Sequence, residues 1–260
     1  MTAEVEFRGA VRRATTVALL ALVATIAPWL AAVLLPPLAQ PQSYHDFADQ
    51  RALWGIPHAL NVVSNLAFVV VGGWGLRAIA RGSTNFDAAG AARLAWLMMF
   101  CGVTLTGAGS AYYHLDPSDA TLVWDRLPMA LAFAGLVAGT LTDRAPRFGA
   151  PMLIALVSTA LGSVVAWAIS GDLVPYLAVQ ASYAATALLA TALIRSPYTH
   201  AGWLIGALAL YAGAIVCERL DRPIDVALGS AVSGHTLKHL LAAAAALMIC
   251  RMLEVRARQA

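Results

Sequence analysis

Charge is scarce in this chain. Asp, Glu, Lys and Arg make up 12% of its 260 residues, whereas 60% are hydrophobic. An ordinary soluble domain is about one-quarter charged, and a chain this apolar has too little polar surface to cover itself in water, which excludes that class. Paired cysteine motifs are also missing. Cys101, Cys217 and Cys250 sit in or at the ends of apolar runs, odd in number and without CxxC or CxxxC spacing, so a disulfide framework is not expected. The net charge is only +3, and the basic residues are scattered between apolar runs, so nothing points to nucleic acid. No internal repeat and no low-complexity segment stands out.

What is present is a series of long apolar runs. A helix needs about 20 such residues to cross roughly 30 Å of hydrocarbon, and eight segments meet or approach that length: about 14–36, 57–80, 91–113, 121–142, 150–169, 173–194, 200–217 and 232–252. Unbroken runs favour helices over the alternating strands of an outer-membrane barrel. The fold class expected is an all-α membrane protein. The first run follows Arg8, Arg12 and Arg13 as a signal peptide would, but it is long for one and "LLPPLAQPQ" is a poor cleavage site, so it is read as an uncleaved span.

Alternate connections hold Arg8, Arg12, Arg13, Arg77, Arg81, Arg93, Arg144, Arg147, Arg195, Arg251, Arg256 and Arg258, twelve in all, against Arg51, Arg219 and Arg222 on the other side. The positive-inside rule then places both termini in the cytoplasm. With that orientation, residues far apart in sequence fall into one outer layer: Asn61, Ser64 and Asn65; Ser110 and His114; Asp125 and Arg126; His235, Lys238 and His239. Ionisable groups in spans are costly and mark candidate sites. His235 and His239, one helical turn apart, project from one face. That spacing fits a shared metal or a structural pair equally well. His114 adds the third imidazole of a water-bearing catalytic zinc site. Ser110 lies one turn before His114, and "GAGS" removes bulk so that another helix can approach closely. Asp125 needs a cation near hydrocarbon, and zinc with its water would serve. Asn61 and Asn65 either orient a ligand or Asp125, or fix helix packing. Trp54, Trp124 and Trp167 read as an interfacial aromatic belt. His45 and His200 are left out of the site.

Three blocks, "NVVSNLAF" (61–68), "GAGSAYYHLDPSDATLVWDRLPM" (107–129) and "SGHTLKHLLA" (233–242), resemble the signature blocks of the alkaline ceramidases. Those belong to a hydrolase superfamily that includes the adiponectin receptors. The resemblance covers about residues 44–245 and is to a bacterial member. It implies a seven-helix core over 44–252, an added N-terminal helix within 1–43 and a tail at 253–260. It implies Zn2+ held by His114, His235 and His239, Asp125 on the metal's water, and Ser110 at the reacting carbonyl. The implied reaction is hydrolysis of the N-acyl amide of ceramide or a related lipid to a fatty acid and an amine base, near the outer face of the bacterial inner membrane. No obligate protein partner is evident.

The chain departs from the family in two places. In "DFADQR", Asp46 and Asp49 fill two positions of an acidic calcium-binding segment, but Arg51 stands where an asparagine belongs and His58 near a later glutamate; calcium is therefore doubted. A salt bridge from Arg51 to Asp46 or Asp49 is expected in its place. Lys238 replaces an aromatic residue and is expected to turn from the histidine face, toward the surface or toward Glu218, Asp221 or Asp225. The rival readings are a receptor or scaffold with a structural zinc site, a haem-binding electron carrier, and an ion transporter.

Overall fold

A computed structural model describes residues 3–82, 84–86 and 90–259. Its helices are α1 (Ala3–Leu34), α2 (Ala59–Ser64), α3 (Leu66–Ala80), α4 (Ala91–Leu115), α5 (Asp119–Thr142), α6 (Gly149–Ser170), α7 (Val174–Leu193), α8 (Trp203–Arg219), α9 (Asp221–Ala227) and α10 (Gly234–Val255), with no strand among the described residues. Seven stretches are long and apolar enough to cross a membrane, α2 and α3 together forming one of them. The seventh run is different: α8 has only 17 residues, and the chain bends by 81° into α9. The protein is an all-α, multi-pass membrane protein.

The helices close a ring. In order around it, α3 packs on α4, α4 on α5, α5 on α7, α7 on α8, α8 on α10, and α10 back on α3; α6 leans on α5 and α7 from outside. Helix α1 packs on α7 and α6, and its most apolar window is only 17% buried, so most of it faces hydrocarbon.

The tightest seam, α4 against α5, is made by small residues. A side chain on Gly102 or Gly135 would run into the backbone of Ala132 or Met99, and one on Gly109 into the carbonyl oxygen of Trp124. That carbonyl is special because Pro128, four residues on, has no N–H to offer it. The "GAGS" motif thus lets α4 approach where α5 exposes an unpaired carbonyl. Membrane helices lack a hydrophobic drive toward one another, so close backbone approach of this kind is what holds them.

Candidate metal centre

His114 ends α4, while His235 and His239 occupy the first two turns of α10. Local chemistry fixes both ends. Ser118 caps α5 in a reciprocal box with Thr121, turning the chain directly after His114. Ser233 caps α10 by accepting the Thr236 N–H at 3.1 Å, and Asp221 Oδ1 accepts the His235 N–H at 2.7 Å. Gly234 leaves no room for a side chain beside the Cys217 carbonyl and the Asp221 backbone. The end of α8 is thereby pinned to the start of α10.

The three imidazoles meet in the interior, exposed by 0%, 3% and 2% in chain order. Their ring centroids are 4.8–5.0 Å apart, and one ligand nitrogen from each lies within 4.8 Å of the others. The His114 and His239 Nε2 atoms are 3.3 Å apart. Two Zn–N bonds of about 2.0–2.1 Å at a tetrahedral angle put their nitrogens about 3.3–3.4 Å apart, so this pair already has the bite of a shared ion. The Nε2 of His235 is buried without a partner. An orphaned imidazole nitrogen beside two convergent ones fits a metal ion, and the set is compatible with Zn2+.

The protonation of His239 follows from its neighbour. Ser64 Oγ lies 2.8 Å from His239 Nδ1 and donates its own hydrogen to the Asn61 carbonyl at 3.1 Å. A metal on Nε2 requires the ring hydrogen on Nδ1, and in that tautomer the hydroxyl accepts from Nδ1–H and gives its own hydrogen to the carbonyl.

On the loop side the centre is covered. The Phe47 ring sits edge-on to His114 and to His235, 4.6 Å from each centroid, and is itself 2% exposed. On the bundle side, His239 lines a cavity inside the ring with about 910 Å3 of atom-free space including its open mouth. Ser110, Asp125, Lys238 and His239 are among its polar members, with Thr106 and Tyr211; the remaining wall is aliphatic and aromatic, with Phe68 and Phe133 in it. Ser110 on α4 and Asp125 on α5 share this wall.

Most sequence-based candidates converge here, and several take other partners. Lys238 is ion-paired with Glu218, as one expectation had it, but its head stays inside and shares the cavity wall with His239 instead of reaching the surface. Glu218 also accepts from Tyr44 at 3.0 Å. The amides of Asn61 and Asn65 touch no histidine: Asn61 Oδ1 accepts from Thr236 at 2.8 Å and from Ser233 at 3.3 Å, and Asn65 Nδ2 donates to the Asn61 carbonyl at 2.8 Å. Both fix packing, and Ser64 between them takes the orienting role. Its signal was present in the sequence, since Ser64 lies one turn from Asn61 in the same polar layer.

Asp49 and Asp46 do not converge. Asp49 receives Arg51 Nε at 2.6 Å and the Leu60 N–H at 3.1 Å, while Asp46 pairs with Arg222 at 2.5 Å. With both carboxylates held by arginines, the segment does not fit a calcium ion. Trp167 is not part of an interfacial belt: it is 3% exposed, and Arg126 stacks over it at 4.1 Å and over Tyr176 at 4.7 Å while donating to Gln40. Arg126 therefore turns away from Asp125. His45, set aside at first, bonds Tyr113 Oη at 2.9 Å and Asp119 at 3.1 Å. It buttresses the ring beside His114 and is no ligand.

No family model and no curated protein matches this chain.

Proposed function

We propose that the protein is a zinc-dependent membrane hydrolase that cleaves the amide bond of an N-acyl lipid, with ceramide as the template substrate suggested by the three signature blocks. The observation that carries the reading is a buried three-histidine centre whose His239 lines a largely apolar cavity, with Ser110, Asp125 and Lys238 in the same wall. A closed structural site needs neither a cavity nor a serine and a carboxylate beside it.

His114, His235 and His239 would hold Zn2+, which would supply an electrophile for the carbonyl and lower the pKa of water toward about 7. Asp125 accepts the water proton as oxygen bonds to the acyl carbon, and returns it to the nitrogen as the C–N bond breaks. The Ser110 hydroxyl donates to the carbonyl oxygen as charge develops on it. The aliphatic wall takes the acyl chain and keeps bulk water from the reacting carbon. By the arginine distribution, both termini are cytoplasmic and the site lies under the outer leaflet of a bacterial inner membrane.

The test is to purify the full chain, measure bound zinc, and follow fatty-acid release from a panel of N-acyl lipids beside His235→Ala. Zinc-loaded wild type should release fatty acid and the variant should not. Equal release from both ends the enzymatic reading, and stoichiometric zinc without release from any lipid favours a receptor or scaffold.

A further inference from the structure

The polar end of the cavity holds one cation that the hydrolytic mechanism leaves idle. Lys238 stands on α10 directly before His239, and both line the cavity together with Asp125 and Ser110. Its ammonium is ion-paired with Glu218 of α8, a carboxylate that also accepts from Tyr44 and is not itself in the wall. Since Lys238 replaces an aromatic residue of the alkaline ceramidases that the block resembles, this cation is the chain's own addition.

Direction along α10 says which part of a substrate meets it. Beyond His239 the same helix gives the cavity Ala242, Ala245, Ala246 and Ile249, a wholly apolar strip. From His239 to Ile249 the helix rises about 15 Å, which gives an acyl chain length to lie along. Lys238 is at the other end of that strip. Helical side chains tilt toward the N-terminus, so its ammonium is carried away from the apolar floor and toward Glu218 at the end of α8. With the acyl chain along the strip and the amide beside His239, the amine part of the lipid is the part that reaches Lys238.

An ammonium has three N–H donors. Glu218 is the one hydrogen-bonded partner of Lys238 among the described residues, and the side chain is only 14% exposed. Two donors are left at the wall, on a charge that is already met. A buried donor without an acceptor is costly, and a neutral oxygen on the amine part satisfies it. A carboxylate there would crowd Glu218 and Asp125 around one ammonium, a like-charge arrangement that selects against it. We propose that Lys238 is a specificity-determining residue that donates to a hydroxyl on the amine part, so that the cavity takes N-acyl amino alcohols in preference to N-acyl amino acids and to amides of plain alkylamines. The inference rests on the hydrolase reading for the orientation of the lipid.

The experiment uses the full chain as purified in detergent. The probes are the ethanolamide, the glycine conjugate and the ethylamide of one fatty acid, which differ only in the group that ends the amine part. Intact lipid retained on ice is counted by native mass spectrometry, and turnover of the same three amides is followed in parallel. Wild type should hold the ethanolamide most tightly and the glycine conjugate least. A single change at either partner strands a charge, so the comparison is with Lys238→Met/Glu218→Gln. Its preference for the ethanolamide over the ethylamide should be about tenfold or more below that of wild type, as for loss of a hydrogen bond to a charged group. Comparing the two ratios cancels the unequal partition of the lipids into detergent. Tightest binding of the glycine conjugate overturns the proposal, as does a preference that the double variant leaves unchanged. Selective binding without turnover of any of the three counts against the hydrolase reading and leaves the role of Lys238 standing.

Discussion

Ser64 Oγ and His239 Nδ1, 175 residues apart in sequence, lie 2.8 Å from one another, and the same hydroxyl is 3.1 Å from the Asn61 carbonyl. With its hydrogen on that carbonyl the serine accepts from Nδ1–H, the tautomer that frees Nε2 for a metal. One hydroxyl on a broken helix thereby aims a lone pair at the centre of the site.

Removing that hydroxyl should weaken the metal without removing a ligand. Ser64→Ala is expected to lower zinc affinity about 10- to 100-fold, the usual range for a partner that orients a ligating histidine. Competition against a chromogenic chelator measures it. Asn65→Ala, whose amide bonds only the Asn61 carbonyl, should leave the affinity near wild type.

Metal retention and turnover should separate at the cavity's polar end. Asp125→Asn and Ser110→Ala keep all three imidazoles, so both variants should purify with zinc at the wild-type ratio. Ser110→Ala should lose about 10²- to 10³-fold in kcat, as for loss of one donor to a developing oxyanion. Asp125→Asn should abolish measurable release on the same lipid panel. Loss of zinc from either variant would place its side chain in the metal site instead.

The glycine seam gives a stability prediction with a built-in control. Gly109→Ala drives a methyl group into the Trp124 carbonyl, whereas a methyl at Gly73 meets nothing within 4 Å. Overpacking of this kind costs about 1–3 kcal/mol. In detergent, the unfolding midpoint of Gly109→Ala should fall, and that of Gly73→Ala should hold or rise.

Lys238 and Glu218 form an ion pair with side chains only 14% and 21% exposed. Lys238→Met leaves a carboxylate stranded, a loss of about 3–5 kcal/mol for a buried pair. Adding Glu218→Gln should recover much of it, because the stranded charge is gone. Thermal unfolding of the two single variants and the double variant measures this coupling.

The spans and the three imidazoles were legible in the sequence because each follows from a one-dimensional rule. Apolar length sets the helices, and direction reversal at each turn carries His114 to the same end as His235. The seventh run was harder: the 17 residues of α8, ahead of an 81° bend into α9, read as one ordinary span in a hydropathy profile. Trp167 misled because an aromatic residue near a span end looks the same whether it faces lipid or a cation. Only the arrival of Arg126 from another helix, 4.1 Å from its ring, decides. Phe47 was illegible for the same reason. Nothing in "DFADQR" says that its phenyl ring folds over two histidines from distant helices.

That phenyl ring also sets a timescale. A metal ion buried beneath Phe47 has no short route to bulk water on the loop side, so its exchange waits on displacement of the ring and its loop. Loading should be easiest while the chain is still assembling, and a chelator added later should strip the ion slowly, at a rate that rises when Phe47 is cut back to alanine.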